Sequence, residues 1–301
     1  MTQATKPAPK RKLSLYERVE PWLFLLPALT VFIIFLYFPF GKTLYLSTYL
    51  TDKYGVAKIF YGLKNYTDIL AGKYSAAFWS SMWVTLRFVF FVSFGSLLVG
   101  LLTSLLTVKR FPGKSLASAI YAMPIAIASA AAAMSFKMIL HPSIGLLNRA
   151  LGTNINWLND PAWAFPIICI LSIWLASGIN FIFISAGLRN IPDELYESAS
   201  IDGAGYWKQL KHITLPSLSP TLFFQIIINV IGAFQSFTQV RLLTSGGPNE
   251  TTNVIVYSIY LDAFRNFRFG SAAARSIVLF LIIMLVTLLQ FRTEKRSVHY
   301  Q

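Results

Sequence analysis

Charge is scarce in this chain, and cysteine is almost absent. Of 301 residues only 13% are charged and 55% are hydrophobic, where a soluble domain carries about 25% charged residues. That excludes an ordinary soluble fold. The single cysteine, Cys169, excludes a disulfide framework. The three histidines, His141, His212 and His299, stand far apart, with no metal-ligand spacing, and no nucleophile-base arrangement accompanies them. The twelve acidic residues all fall outside the long apolar runs. Carriers coupled to protons or sodium usually place an acid or a cation site inside the membrane, so this absence weighs against a stand-alone secondary carrier. A nucleotide site is missing too. Phe111-Pro112-Gly113-Lys114-Ser115 ends like a phosphate-binding loop. The full motif, however, needs glycine where Val108 stands and a strand before it. No repeat and no linker between soluble domains is visible. The net charge of +14 comes without any nucleic-acid motif, which points to anionic lipid headgroups and to membrane orientation.

What is abundant is apolar length. Six runs are long enough to cross about 30 Å of hydrocarbon: 22–40, 82–108, 115–140, 163–188, 217–240 and 271–291. The third is rich in Ala and Ser, which suits close helix packing, and Pro124 and Pro166 are expected to kink their spans. The spacing predicts an all-α polytopic membrane protein with six transmembrane helices at 22–291. Residues 1–21 form a basic tail, and 292–301 a short second tail. With both termini cytoplasmic, the inside segments hold 14 of the 26 Lys and Arg, at about twice the density of the outside ones, as the positive-inside rule requires. The first outer loop, 41–81, runs against that trend with five lysines. It is also expected to hold a short helix through Ile69.

The longest polar interruption in the second half is Asn190–Pro216. Pro192 followed by Asp193 and Glu194 is a helix start, because acids suit the positive end of the helix dipole. Asp202-Gly203 breaks that helix. A second short helical run carries Trp207, Leu210 and Ile213 and is expected to stop at Pro216. The segment reads either as a connector with an amphipathic face or as a docking knob. In the second reading small side chains admit a partner's groove, and Glu197 and Asp202 make directed polar contacts.

Glu197, Ala199, Asp202, Gly203 and Ala204, followed by Ile213, Leu215 and Pro216, are spaced as in the "EAA" loop of permease subunits of binding-protein-dependent ABC importers. Ser198 departs from the usual alanine, one small residue for another. The likeness extends over most of the chain from Trp22 and resembles the carbohydrate-type group with the maltose and glycerol-phosphate systems. The last sixty residues look closest to the first permease subunit of sn-glycerol-3-phosphate importers. The matching features are Thr244-Ser245-Gly246-Gly247-Pro248 with Thr251-Thr252, then 271–276, 290–292 and 298–301. The resemblance implies a type I ABC importer fold and a heterodimer with a second, different permease. It also implies two ATPase subunits that bind ATP and Mg, an extracytoplasmic solute-binding protein, a bacterial inner-membrane location and no cofactor on this chain. Glu197, Ser198, Ala199, Asp202, Gly203 and Ala204 would enter the ATPase groove.

Other residues admit two readings each. Arg87, Arg275 and Lys137 lie near the outer ends of their spans. They either snorkel to the headgroups or line a pathway for an anionic substrate. Asn180, Gln225, Asn229, Gln235 and Gln239 either bond helices together or present amides to hydroxyls of a sugar or polyol. Gly246, Gly247 and Pro248 form a plain turn or a rim contact for the delivery protein. The expected cargo is sn-glycerol-3-phosphate or a related phosphodiester, with a neutral sugar or oligosaccharide as the alternative.

Overall fold

The computed structural model describes residues 15–108 and 111–297. The first fourteen residues of the basic tail, Lys109 and Arg110 of the short loop, and 298–301 with His299 lie outside the described residues. The chain opens with α1 (Leu15–Phe32), a π-turn (Ile33–Tyr37) and α2 (Phe38–Ser47). The helix thus takes in the last seven residues of the expected tail. A two-stranded antiparallel hairpin follows, β1 (Tyr49–Thr51) and β2 (Ala57–Phe60), then α3 (Lys64–Leu70). The hairpin was not legible in the sequence; the short helix was.

The bundle core is α4 (Ser75–Val108) against α8 (Pro161–Arg189), with α5 (Lys114–Ala122), α6 (Ser129–Ile139) and α7 (Leu146–Leu151) between them in sequence. Ser93, Ser96, Gly100, Ser104 and Thr107 are all buried on α4. They recur every three or four residues, so one helix stripe is made of small side chains, which lets two backbones approach in a lipid environment. Ser104 Oγ donates to the Phe181 carbonyl at 3.1 Å across this seam. A Cβ added at Gly100 would collide with Asn180 Cβ and lie 3.1 Å from its carbonyl carbon. Gly100→Ala is therefore expected to cost about 1–3 kcal/mol of stability by overpacking, read as a lower unfolding temperature in detergent. No change would mean that the seam is loose.

The expected third span is not one helix. α5 and α6 meet at a 104° bend, with a tight 3₁₀ turn at Met123–Ala126 that places Pro124 at its start. Proline supplies the local break. The bend packs closely on α8 at Gly178: a Cβ there would sit 3.0 Å from Ile125 N and 3.3 Å from the Ala122 carbonyl oxygen. Pro166, by contrast, lies inside an unbroken α8.

After α8 come α9 (Asp193–Ile201), α10 (Tyr206–Gln209), a π-turn (Leu210–Thr214) and α11 (Leu215–Phe234). Pro216 does not stop the second helical run, as the sequence suggested. Tyr206–Phe234 is one span of 29 residues. The π-turn widens the coil just ahead of the proline, where its ring would clash with the preceding turn. The span ends six residues before the expected Val240. α12 (Thr238–Leu243), α13 (Ile255–Phe264) and α14 (Phe269–Ser297) complete the chain. Among the described residues five helices can cross a membrane by length and composition, or six if the bent pair counts as one span. α14 takes in the first six residues of the expected C-terminal tail.

Candidate functional site: the α9 turn and the polar groups of the spans

The α9 segment is built by local rules. Pro192, at φ −58° and ψ 134°, caps the helix. It thus stands one position ahead of the first helical residue, and Asp193 and Glu194 occupy the first turn. At the other end Gly203 takes φ +72°. There Ala204 N donates to the Ala199 carbonyl at 2.8 Å, and Gly203 N to that of Ser200 at 3.1 Å. This pair of bonds is the Schellman closure, which depends on a left-handed residue at the position of Gly203. Gln209 Nε2 then ties α10 back to α9, donating to Ser200 Oγ at 3.0 Å and to the Ala204 carbonyl at 3.1 Å. Tyr196 Oη and Thr214 Oγ1 lie 3.0 Å apart and anchor α9 to the root of α11.

The surface of this knob differs in one respect from the residues named in advance. Glu197, Ser198, Asp202 and Gly203 are exposed, whereas Ala199 and Ala204 are half-buried where the turn closes. Two apolar side chains project instead, Ile201 at 88% and Trp207 at 77% exposure. Ile201 was missed because a lone apolar residue at a helix end carries no periodic signal. A cavity of about 820 Å³ lies behind the knob, between the ends of α4 and α8, with Lys114, Arg189, Asp193 and Tyr196 in its wall.

The polar groups of the spans divide. Asn180 and Asn229 exchange side-chain hydrogen bonds at 3.2 and 3.0 Å, and Gln225 Nε2 donates to the Ile179 carbonyl at 3.3 Å. All three are buried. They join α8 to α11 and present no free amide to a passing solute. Gln235 lies beyond the helix as its C-cap and is exposed. Gln239 accepts from Ser236 Oγ.

Arg275 corrects the sequence reading outright. It neither snorkels nor lines an open pathway; it is 2% exposed. Its Nε lies 3.0 Å from Asp262 Oδ2, and a second guanidinium nitrogen donates to Ser258 Oγ at 2.5 Å. Arg268 also pairs with Asp262 Oδ1, and Ser271 Oγ donates to Asp262 Oδ2 at 3.2 Å. One acid is therefore buried in the helical body, on α13. That apolar helix is too short to be read as a span, so from sequence Asp262 falls outside the long apolar runs. Lys137 is exposed and donates to the Leu242 carbonyl at 3.3 Å. Arg87 is the exposed cation of α4, its guanidinium 4.8 Å from the Phe165 ring centre.

The Gly246-Gly247-Pro248 turn is packed inward. Gly246 is buried at φ +82°, and a Cβ there would lie 2.9 Å from a Tyr257 ring carbon. Thr252 Oγ1 donates to the Gly247 carbonyl at 2.7 Å and lies 2.7 Å from Thr244 Oγ1. The outward residues of this loop are Ser245, Asn249 and Glu250.

Residues 18–299 match the family described as binding-protein-dependent transport system inner membrane component. The chain belongs to that family. Three similar relatives are sn-glycerol-3-phosphate transport system permease proteins UgpA. That of Agrobacterium fabrum is 33% identical over 288 residues, covering 94% of this chain and 97% of its own. That of Yersinia enterocolitica is 32% identical, covering 93% and 96%. That of Escherichia coli O157:H7 is 32% identical, covering 95% and 97%. Among solved structures, a chain of the bacterial alginate ABC transporter in complex with an alginate pentasaccharide-bound periplasmic protein superposes with a TM-score of 0.81. It is 25% identical, with 94% of this chain and 97% of that one covered. The permease is thus a mostly helical, multi-pass inner-membrane subunit of an ABC importer with the type I transmembrane fold. It is a non-catalytic subunit.

Proposed function

We propose that this permease forms half of a translocation pathway for sn-glycerol-3-phosphate or a related glycerophosphodiester. A second, different permease would supply the other half. Two ATPase subunits would bind ATP and Mg and hydrolyse the nucleotide, and an extracytoplasmic solute-binding protein would deliver the cargo. The observation that carries the substrate is full-length identity of about one third to permeases of that system. The six-span core at 22–291 would hold both termini in the cytoplasm, which puts α9 on the ATPase side.

In this reading α9 and its Gly203 turn are a lever. Glu197, Ser198 and Asp202 are exposed beside Ile201 and Trp207, so polar contacts and two apolar anchors can seat together in a groove. Ala199, Gly203 and Ala204 hold the shape of the knob. Closure of the ATPases on ATP would pull it and shift the permease pair between two states of different affinity for the nucleotide-bound partner.

Of the two span guanidiniums singled out from the sequence, Arg87 is the exposed one offered for the anion, since Arg275 is taken by Asp262. Asn180, Gln225 and Asn229 would shape the pathway by holding α8 to α11 rather than by touching cargo. Gln235 and the exposed residues flanking Gly246, Gly247 and Pro248 are open to the delivery protein. A charged hydrogen bond contributes about 1.5–3 kcal/mol. Arg87→Gln should therefore raise KM for glycerol phosphate by at least about tenfold in proteoliposomes holding the whole importer, with the ATPase rate retained. An unchanged KM would remove Arg87 from the pathway. The deciding experiment for the cargo is ligand binding by the partner solute-binding protein. Retention of glycerol phosphate is expected; retention of neutral sugars with no response to phosphates would overturn it.

A further inference from the structure

The five lysines of 41–81 are unexplained by the transport reading. Lysine on the translocated side opposes the usual charge bias, and only Asp52 and Asp68 offset them, leaving a net +3. The structure folds this stretch instead of leaving it loose. Asn65 Nδ2 donates to the carbonyls of Ser47 at 2.9 Å and Tyr49 at 3.0 Å, and Tyr66 Oη to Ser47 Oγ at 2.7 Å. Asp52 Oδ1 accepts from the amides of Tyr54 and Val56, each at 2.9 Å. The Val56 amide is the main reason that its carboxyl titrates below the ordinary aspartate range. Gly270 N donates to Thr51 Oγ1 at 3.3 Å, fastening the hairpin to the start of α14.

This fastened hairpin turns apolar side chains outward. Tyr54, Val56, Ile59, Phe60 and Leu63 all exceed half exposure. Lysines are interleaved with the rings: Lys53 Nζ is 5.1 Å from the Tyr54 ring centre, and Lys64 Nζ is 5.1 Å from that of Tyr61. Lys58 and Lys73 reach Asp52 and Asp68, at 3.5 and 4.0 Å, while Lys53 and Lys64 make no ion pair among the described residues.

Position selects the occupant. The first span, Glu20–Ser47, has 28 residues, which is about 42 Å of helix, close to the full thickness of a bilayer with its headgroup zones. The hairpin starts two residues later, so it begins at the outer edge of the headgroup zone. Ring contacts link it to the span: Tyr49 lies 4.5 Å from the exposed Tyr45 and 5.3 Å from the exposed Phe60, centre to centre. Rings that take the boundary and ammonium groups that reach phosphates are the chemistry of an interfacial anchor.

We propose that the β1–β2 hairpin is a docking surface for anionic phospholipid headgroups of the outer leaflet. The side assigned to it rests on the orientation given under Proposed function; the contact itself does not. The test uses the complete importer in nanodiscs of phosphatidylcholine with or without phosphatidylglycerol. An environment-sensitive fluorophore is placed at Ile59→Cys, with the buried Cys169 left in place. Quenching by headgroup-nitroxide lipid is expected, and at least about twofold stronger with phosphatidylglycerol, where each surface lysine adds attraction. Lys53→Gln with Lys64→Gln should abolish that difference. Equal quenching in both bilayers without the lysine substitutions, or a label open to aqueous iodide in both, overturns the proposal. So does protection that appears only when the solute-binding protein is added, which would make the hairpin a protein contact. A failure of glycerol phosphate uptake would bear on the cargo alone and leave these readouts unaffected.

Discussion

Gly203→Asp is expected to leave the permease inserted and assembled while ATP-driven uptake collapses. Gly203 sits at φ +72° with nothing within 4 Å of the point a Cβ would occupy, so the backbone penalty is conformational and not steric crowding. A left-handed backbone costs most residues with a Cβ about 1–2 kcal/mol, but aspartate, like asparagine, meets less of that cost, so the larger part of the effect is expected from its charge. The new carboxylate also stands beside Asp202 on the face proposed for docking, and like charges there repel. Gly203→Asn separates the two causes. Asparagine tolerates this backbone region and brings no charge, so it should retain most of the activity. Uptake per assembled complex, measured against membrane abundance, decides the matter. Normal transport in the aspartate variant would end the docking role of the turn.

Asp262→Leu should be the most damaging substitution for stability. Asp262 lies between Arg268 and Arg275, with Ser271 on the same carboxylate oxygen as Arg275. Removing it leaves a guanidinium buried at 2% exposure without its counter-charge. Breaking a buried pair from one side costs about 3–5 kcal/mol, a large part of the roughly 5–15 kcal/mol that holds a typical domain. Arg275→Met alone should be damaging for the mirrored reason. The double variant should recover much of the loss, because replacing both ions by apolar side chains removes the desolvation cost along with the attraction. A thermal-unfolding cycle over the four proteins measures the coupling. If the two single effects simply add, the pair is not the fastening of α13 to α14.

Both predictions concern charge or backbone at places with opposite legibility. The Gly203 turn could be read in advance because everything that forms it lies within a few residues. Pro192, the two acids after it and the Asp202-Gly203 break define a short helix with a left-handed end, and α9 has that form. Asp262 could not be read. Ile255–Phe264 is ten residues long, too short to be recognised as membrane-depth helix, and its partner Arg275 is on the next helix. The amides were half legible: Gln225 and Asn229 do share a helix face, but that Asn229 meets Asn180 is settled only by how α11 crosses α8.

Alone, the sequence determined that the chain lives in a membrane, roughly where it crosses, and where its polar handle lies. Lipid demands about twenty apolar residues in a row, and a glycine turn is a short-range event, so both leave local signatures. Tertiary structure decided the 104° break against Gly178, the passage of α11 through Pro216, and the pairing of buried charges and amides. Those depend on which distant side chains meet, and no local signal encodes a meeting across helices.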